Sequence, residues 1–404
     1  MFVMISSIIL LYLIFEIILK LIITVEKKNI QWLLTNKDKY PTLNKEAVKK
    51  FINSSFHPEL GWYRKPGSTG EEVGVNGKVF YSIDTDGSRK KIFANKPTKI
   101  ATFGDSFAFC RQVNDEDTWQ SQISKRLCVN IQNFGVGNYG LDQAFLRFNL
   151  SRLSKDTNVI IVMFVPETIC RIQSQWKHYL EFGNTFAFKP MFKINSKNKL
   201  NLIPNPIKNE ISLINYNNFI KKIQKDDRFY KEKFLPSIIK FPFTLNLCNQ
   251  MSFKSKLTYF ACLRFLSRII KRKSTAIDNK IMHYIIHNNL RFSHTLYKDI
   301  TSRKLLSRII SEFDKKATIN NKKIYFVITP QLLDLKIRKA VNKLAYENFY
   351  HNLKSEFNIV DLTKDLFDFP LDALYVNDIY GGHLSVYGNK VVSKLIESKI
   401  SINP

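Results

Sequence analysis

The chain lacks the spacings that hold metals or disulfides. Its five cysteines, Cys110, Cys128, Cys170, Cys248 and Cys262, are odd in number and irregularly placed, and no CxxC pair occurs. Neither a disulfide framework nor a zinc site is implied. These cysteines are expected to be small buried hydrophobes, with Cys110 close to any chemistry at Ser106. Acid is scarce as well: 34 Asp and Glu stand against 62 Lys and Arg, a formal charge of +28. Such a balance suits a nucleic acid, an anionic surface or polymer, or simply a lysine-rich composition. The basic residues are spread along the whole chain, with no compact arginine-rich motif, so nucleic acid is not expected as a partner. No internal repeat is present, and no metal or organic cofactor is suggested.

What is present is enough apolar sequence for a large core: 404 residues, 45% hydrophobic and 13% aromatic. Residues 2–24 are almost wholly apolar. As a helix they would run about 34 Å, enough for a hydrocarbon core of about 30 Å. Glu16 and Lys20 interrupt the run one turn apart, in the order that lets them pair on a helix face. No Lys or Arg precedes the run and no A-x-A-like site follows it, which argues against a cleaved signal peptide. The expectation is a single-pass anchor over residues 1–25. Lys27, Lys28, Lys37 and Lys39 follow and argue for a cytoplasmic body.

Residues 26–95 read as a lead-in with a small β ornament. Residues 44–53 suggest an amphipathic helix and residues 79–83 a strand, and Asp84-Thr85-Asp86-Gly87 signals a turn. At residues 96–170 an α/β rhythm begins. Strands are expected at 99–103, 129–134 and 159–165, with helices at 118–127 and 141–154 between them. The apolar run at 159–165 is that of a central parallel strand, and the alternation implies βαβ units. Residues 171–320 break the rhythm and are basic, aromatic and mostly helical, an insertion or cap. Residues 321–404 resume it, with strands at 323–329 and 358–362, a helix over 335–357 and a last helix from Ser385. The fold class expected is a three-layer α/β/α sandwich on a parallel sheet, flavodoxin-like in order.

One junction organises the rest. The strand at 99–103 stops in Gly104-Asp105-Ser106-Phe107, which would leave Ser106 Oγ at the carboxyl edge of the sheet, where open α/β sheets place their chemistry. A serine there is a nucleophile only if a base reaches it. The candidate base lies in Asp378-Ile379-Tyr380-Gly381-Gly382-His383. Gly-Asp-Ser is also a common turn; the strand before it and the glycine-rich strand end at Gly135 add weight to the first reading.

These blocks resemble the SGNH/GDSL hydrolase superfamily, over roughly residues 97–165 and 320–400. Gly104-Asp105-Ser106-Phe107 matches its first signature, Asn133-Phe134-Gly135-Val136-Gly137-Asn138 is similar to its glycine block, and Asp378 with His383 to its last block. The resemblance implies that Ser106 is the nucleophile, His383 the base and Asp378 the residue that orients the imidazole. It places the oxyanion hole at the N–H groups of Ser106, Gly137 and Asn138. Two departures bear on activity. The third block's Asn is missing from Pro166-Glu167-Thr168, leaving Thr168 or Arg171 as substitute donors. Four residues, not two, separate Asp378 from His383; Gly381 and Gly382 could loop out, or else the His works in a dyad with a backbone carbonyl.

The function implied is a serine esterase acting on an O-acylated carbohydrate, or another small ester, through an acyl-serine intermediate. Alternatives are an O-acetyltransferase of an envelope polysaccharide and an inactive binding or scaffold protein on the same fold. An anchor, the Gly61-Trp62 approach segment and such a domain together resemble bacterial envelope members, which sets the body outside the cytoplasm, against the lysine argument.

Overall fold

In the computed structural model, residues 2–74, 77–248, 252–376 and 382–401 are described. The central sheet has five strands: β1 (Thr98–Gly104), β2 (Asn130–Asn133), β3 (Val159–Phe164), β4 (Lys323–Ile328) and β5 (Ile359–Asp361). Every pairing is parallel, and the spatial order is β2-β1-β3-β4-β5. Ile100 lies opposite Ile131, Phe103 opposite Val162, and Ile328 opposite Phe164. The chain reverses its direction of travel across the sheet between β1 and β3. That reversal is the topological switch point of the flavodoxin-like order, where a crevice opens at the carboxyl ends of the strands.

Both faces of the sheet are covered, which explains the unbroken apolar runs in β3 and β4. Side chains alternate between faces with the period of two that a strand dictates. Ile100, Ile161, Met163 and Val327 share one apolar cluster with Trp119, Ile123, Val392 and Ile396. The last four belong to α2 (Trp119–Leu127) and α9 (Val386–Lys399). Phe103, Ile160, Val162 and Phe326 face the opposite way, toward α3 (Leu141–Leu150), α6 (Ile300–Ile319) and α8 (Ala345–Leu353). At the middle of that layer Phe103 stacks on Phe134 and meets Phe148 edge-on, both within 5.5 Å between centroids.

Helix starts follow their capping residues. Thr118 accepts from the N–H of Ser121 at the start of α2, and Ser385 from that of Gly388 at the start of α9. Residues 335–357, expected as one helix, are two: α7 (Leu332–Val341) and α8. Asn342 ends the first at φ +58°, a left-handed conformation that stops a helix.

The insertion between β3 and β4 is mostly helical, including α4 (Phe253–Ile269) and α5 (Thr275–Leu296). It also holds a hairpin, Met191–Ile194 with Leu200–Ile203, absent from the sequence reading. The insertion packs back on the N-terminal part of the chain: Ile238–Ile239 pairs in parallel with Leu34–Thr35. The lead-in is as expected in outline, with Lys45–Ser54 helical and a hairpin of Thr69–Gly74 with Gly77–Ser82.

Helix α1 (Phe2–Glu26) is long and apolar enough to cross a membrane, with a mean hydropathy of 2.7. The expected Glu16–Lys20 pair is not made. Glu16 turns inward and accepts from the backbone N–H groups of Phe243 and Thr244, at 2.6 and 2.7 Å, while Lys20 stays exposed. Two backbone donors on the insertion outcompete a flexible ammonium on the uncovered side of the helix.

Phe103→Ala should cost about 3–5 kcal/mol, the range for an aromatic removed from a packed core. Urea unfolding of the detergent-solubilised chain, followed by near-UV circular dichroism, should show the midpoint fall, and an unchanged midpoint would contradict the packing described.

Candidate active site

Strand β1 ends at Gly104, whose φ of +137° favours glycine. Space demands it too: a Cβ there would lie 1.7 Å from the carbonyl oxygen of Met163 on β3. The chain then turns at once into a single helical turn, Ser106–Phe109. Asp105 caps that turn, accepting from the N–H of Phe107 at 2.9 Å and from that of Val165 at 3.0 Å. The carbonyls of so short a helix have few partners of their own kind. Trp119 Nε1 donates to Phe107 O and Gln120 Nε2 to Ala108 O. The position of Ser106 is therefore fixed from both ends of its turn.

His383 arrives from the other end of the chain. It pairs with Val376 in a two-residue antiparallel bridge, just before α9. Gly382 precedes it at φ +81°, where a Cβ would press Leu332. Asn389 on α9 bonds the carbonyls of Leu384 and Ser385 and accepts from the N–H of Trp119. The imidazole stacks on Phe107, with centroids 5.2 Å apart. Its Nε2 lies 2.9 Å from Ser106 Oγ, within the reach that proton transfer needs. Both side chains are buried. Asp378 and Gly381 lie outside the described residues.

Gly137 and Asn138 line the same cleft as Ser106 and His383. Asn138 has φ +66°, in the left-handed region that Asn tolerates. Among the described residues, the N–H groups of Ser106, Gly137 and Asn138 have no acceptor. Trp62 of the lead-in braces this turn. Its Nε1 donates to Gly137 O at 3.0 Å, and the Tyr139 hydroxyl donates back to Trp62 O.

Of the two substitutes for the missing third-block Asn, Thr168 is engaged elsewhere: its Oγ1 accepts from the N–H of Leu141 at the start of α3. It is fully buried, outside the cleft lining. Arg171 does line the cleft. Its Nη1 reaches Asp105 Oδ2 and Tyr139 O, each at 3.2 Å, and its Nη2 reaches Glu167 at 2.7 Å. One guanidinium thus ties the Ser106 turn to the Gly137–Tyr139 turn. Burial works against its charge, but Glu167 and Asp105 hold it protonated above its ordinary value. Glu167 is likewise held below the usual carboxylate range, by Arg171 and Lys177 against the cost of burial.

Cys110 is near the site, and its surroundings disfavour a thiolate. Its thiol bonds Gln120 Oε1 at 3.0 Å, and burial pushes it up to about 12. The loop beyond it is closed by Arg89, which pairs with Asp115 and donates to the carbonyls of Phe109, Cys110 and Val113. No sequence signal marked Arg89, Gln120 or the bracing by Trp62, because each bond joins segments far apart in the chain.

The cleft over these residues encloses about 680 Å³. Its lining includes Trp62, Arg64 and Glu72 of the lead-in and Phe182, Met282, Ile285 and Leu290 of the insertion. Among the described residues, no group of three or more potential metal ligands is clustered.

No family model and no curated protein matches the chain. Among solved structures, a protein from Desulfitobacterium hafniense DCB-2, assigned to the lipolytic proteins of the G-D-S-L family, aligns with 74% of this chain and 99% of its own. Identity is 11% and the TM-score 0.31.

Arg171→Met should destabilise the chain by about 3–5 kcal/mol, as expected when one arm of a buried ion-pair network is removed. Arg171→Lys keeps the charge but cannot bridge three acceptors, so it should restore stability more than it restores the reactivity of Ser106. Unfolding midpoints and reaction with an organophosphorus probe would separate the two; equal recovery of both would contradict the bridging role.

Proposed function

We propose that the chain is a serine acyl-hydrolase of the SGNH type, acting on an O-acylated carbohydrate through an acyl-Ser106 intermediate. The observation that carries the reading is the 2.9 Å contact between Ser106 Oγ and His383 Nε2 at the switch point of the sheet. His383 takes the serine proton as Oγ attacks the acyl carbonyl. Asp378 orients the imidazole and stabilises its charged form. The tetrahedral oxyanion is met by the N–H groups of Ser106, Gly137 and Asn138. His383 then returns the proton to the sugar oxygen, which leaves as the alcohol, and water repeats the sequence on the acyl-enzyme.

A cleft of this size admits more than a small ester. Trp62 supplies an aromatic face, while Asn138, Asn184, Asn289 and Gln331 supply hydrogen-bonding groups. That combination suits a saccharide. Helix α1 anchors the chain in a bilayer, with the body on the extracytoplasmic side. Residues 96–170 and 321–404 form the hydrolase core, and 171–320 its cap.

A second reading, transfer of the acyl group to another hydroxyl, is favoured by one feature. Met282, Ile285 and Leu290 of α5 line the cleft, and an apolar wall that keeps water from an acyl-enzyme favours transfer over hydrolysis.

The full chain in detergent should hydrolyse p-nitrophenyl acetate. Ser106→Ala should abolish turnover, and His383→Ala should lower it by about 10²–10⁴-fold, the span general base catalysis contributes. The double variant should be no slower than Ser106→Ala alone, since the two act as a unit. Added saccharide that accelerates nitrophenol release and gains the acetyl group would select transfer; turnover that survives Ser106→Ala would remove the reading altogether.

A further inference from the structure

A bilayer around α1 would also meet the insertion packed against it. The apolar stretch ends at Thr24, followed by Glu26, Lys27 and Lys28. Measured back from that polar boundary at about 1.5 Å per residue, Glu16 lies about 12 Å into a core of about 30 Å. The bare face of α1 agrees with immersion to that level: Ile17, Ile18 and Leu21 are exposed, and the exposed Lys20 among them is one turn from the boundary, near enough for its ammonium to snorkel out. Glu16 itself is buried, on the face turned toward the insertion.

A carboxylate at that depth is costly unless fully bonded. Here it accepts from the N–H groups of Phe243 and Thr244 and from the Thr244 hydroxyl. Those same N–H groups open the short helix Phe243–Leu247, and in hydrocarbon they would need an acceptor too. Each side satisfies the other. The Tyr12 hydroxyl, one turn deeper, also reaches Thr244, at 3.2 Å.

We propose that residues 241–248 form a wedge immersed in one leaflet beside α1, with Phe241 and Leu245 against the acyl chains. It rests on the reading of α1 as a bilayer span. Both side chains are about two-thirds exposed, at 68% and 66%. Charge agrees at the boundary. Arg264 and Arg268 of α4 pair with Glu26 at the end of α1, which brings the exposed run Lys271-Arg272-Lys273 to headgroup level. Basic residues there are drawn to anionic lipid. Lys240, next to Phe241, is exposed, and a lysine at the edge of an immersed segment extends its ammonium toward the headgroups.

The test uses the full chain reconstituted into phosphatidylcholine–phosphatidylglycerol vesicles, with and without bromine on the acyl chains. Leu245→Trp reports the wedge, Phe241→Trp duplicates it should the first variant misfold, and Leu10→Trp reports α1. After subtraction of the unsubstituted chain, both the wedge and α1 reporters should lose most of their emission to bromine. Quenching of Leu10→Trp without quenching of either wedge variant would overturn the wedge and leave the span standing. Quenching of none would overturn both.

Discussion

The contact between Ser106 and His383 joins positions 277 residues apart, and the sheet exists in a form that permits it. Ser106 is thrown up at the carboxyl end of β1 by a glycine that no other residue can replace without meeting Met163 O. His383 comes from a two-residue bridge that α9 and Asn389 pin against α2. Reversal of the chain between β1 and β3 leaves a crevice between their carboxyl ends, and both groups face into it.

Around that contact the charges are arranged to hold backbone in place. Arg171 spans Asp105, Tyr139 O and Glu167, so two turns that must keep a fixed distance share one rigid cation. Arg's planar fork does this at several acceptors together, which an ammonium does not. Arg89 performs a similar service for the loop after Cys110. A preorganised set of backbone donors keeps its value only where the backbone does not relax.

The core of the fold was legible because its residues carry local signals. Alternating and continuous apolar runs announced all five strands to within two residues at each end, and Thr118 and Ser385 announced their helices. The Gly104-Asp105-Ser106 turn and the distant His383 pointed to each other through the resemblance of their blocks. Less legible was whatever depends on contact across the chain. Glu16 looked like half of a helical ion pair because the sequence displays Lys20 four residues on and hides Thr244. Thr168 looked like a free donor because its bond to the start of α3 is invisible in sequence. The insertion's hairpin escaped notice because Met191–Ile194 and Leu200–Ile203 are short and lie in a basic, aromatic background.

The proposed function requires that His383 make Ser106 reactive. Intact-mass spectrometry of the full chain after exposure to a fluorophosphonate measures it most directly. A single adduct that maps to Ser106 is expected, absent in Ser106→Ala and formed far more slowly in His383→Ala. A folded chain that takes no adduct, or one that labels at the same rate without the imidazole, would contradict it.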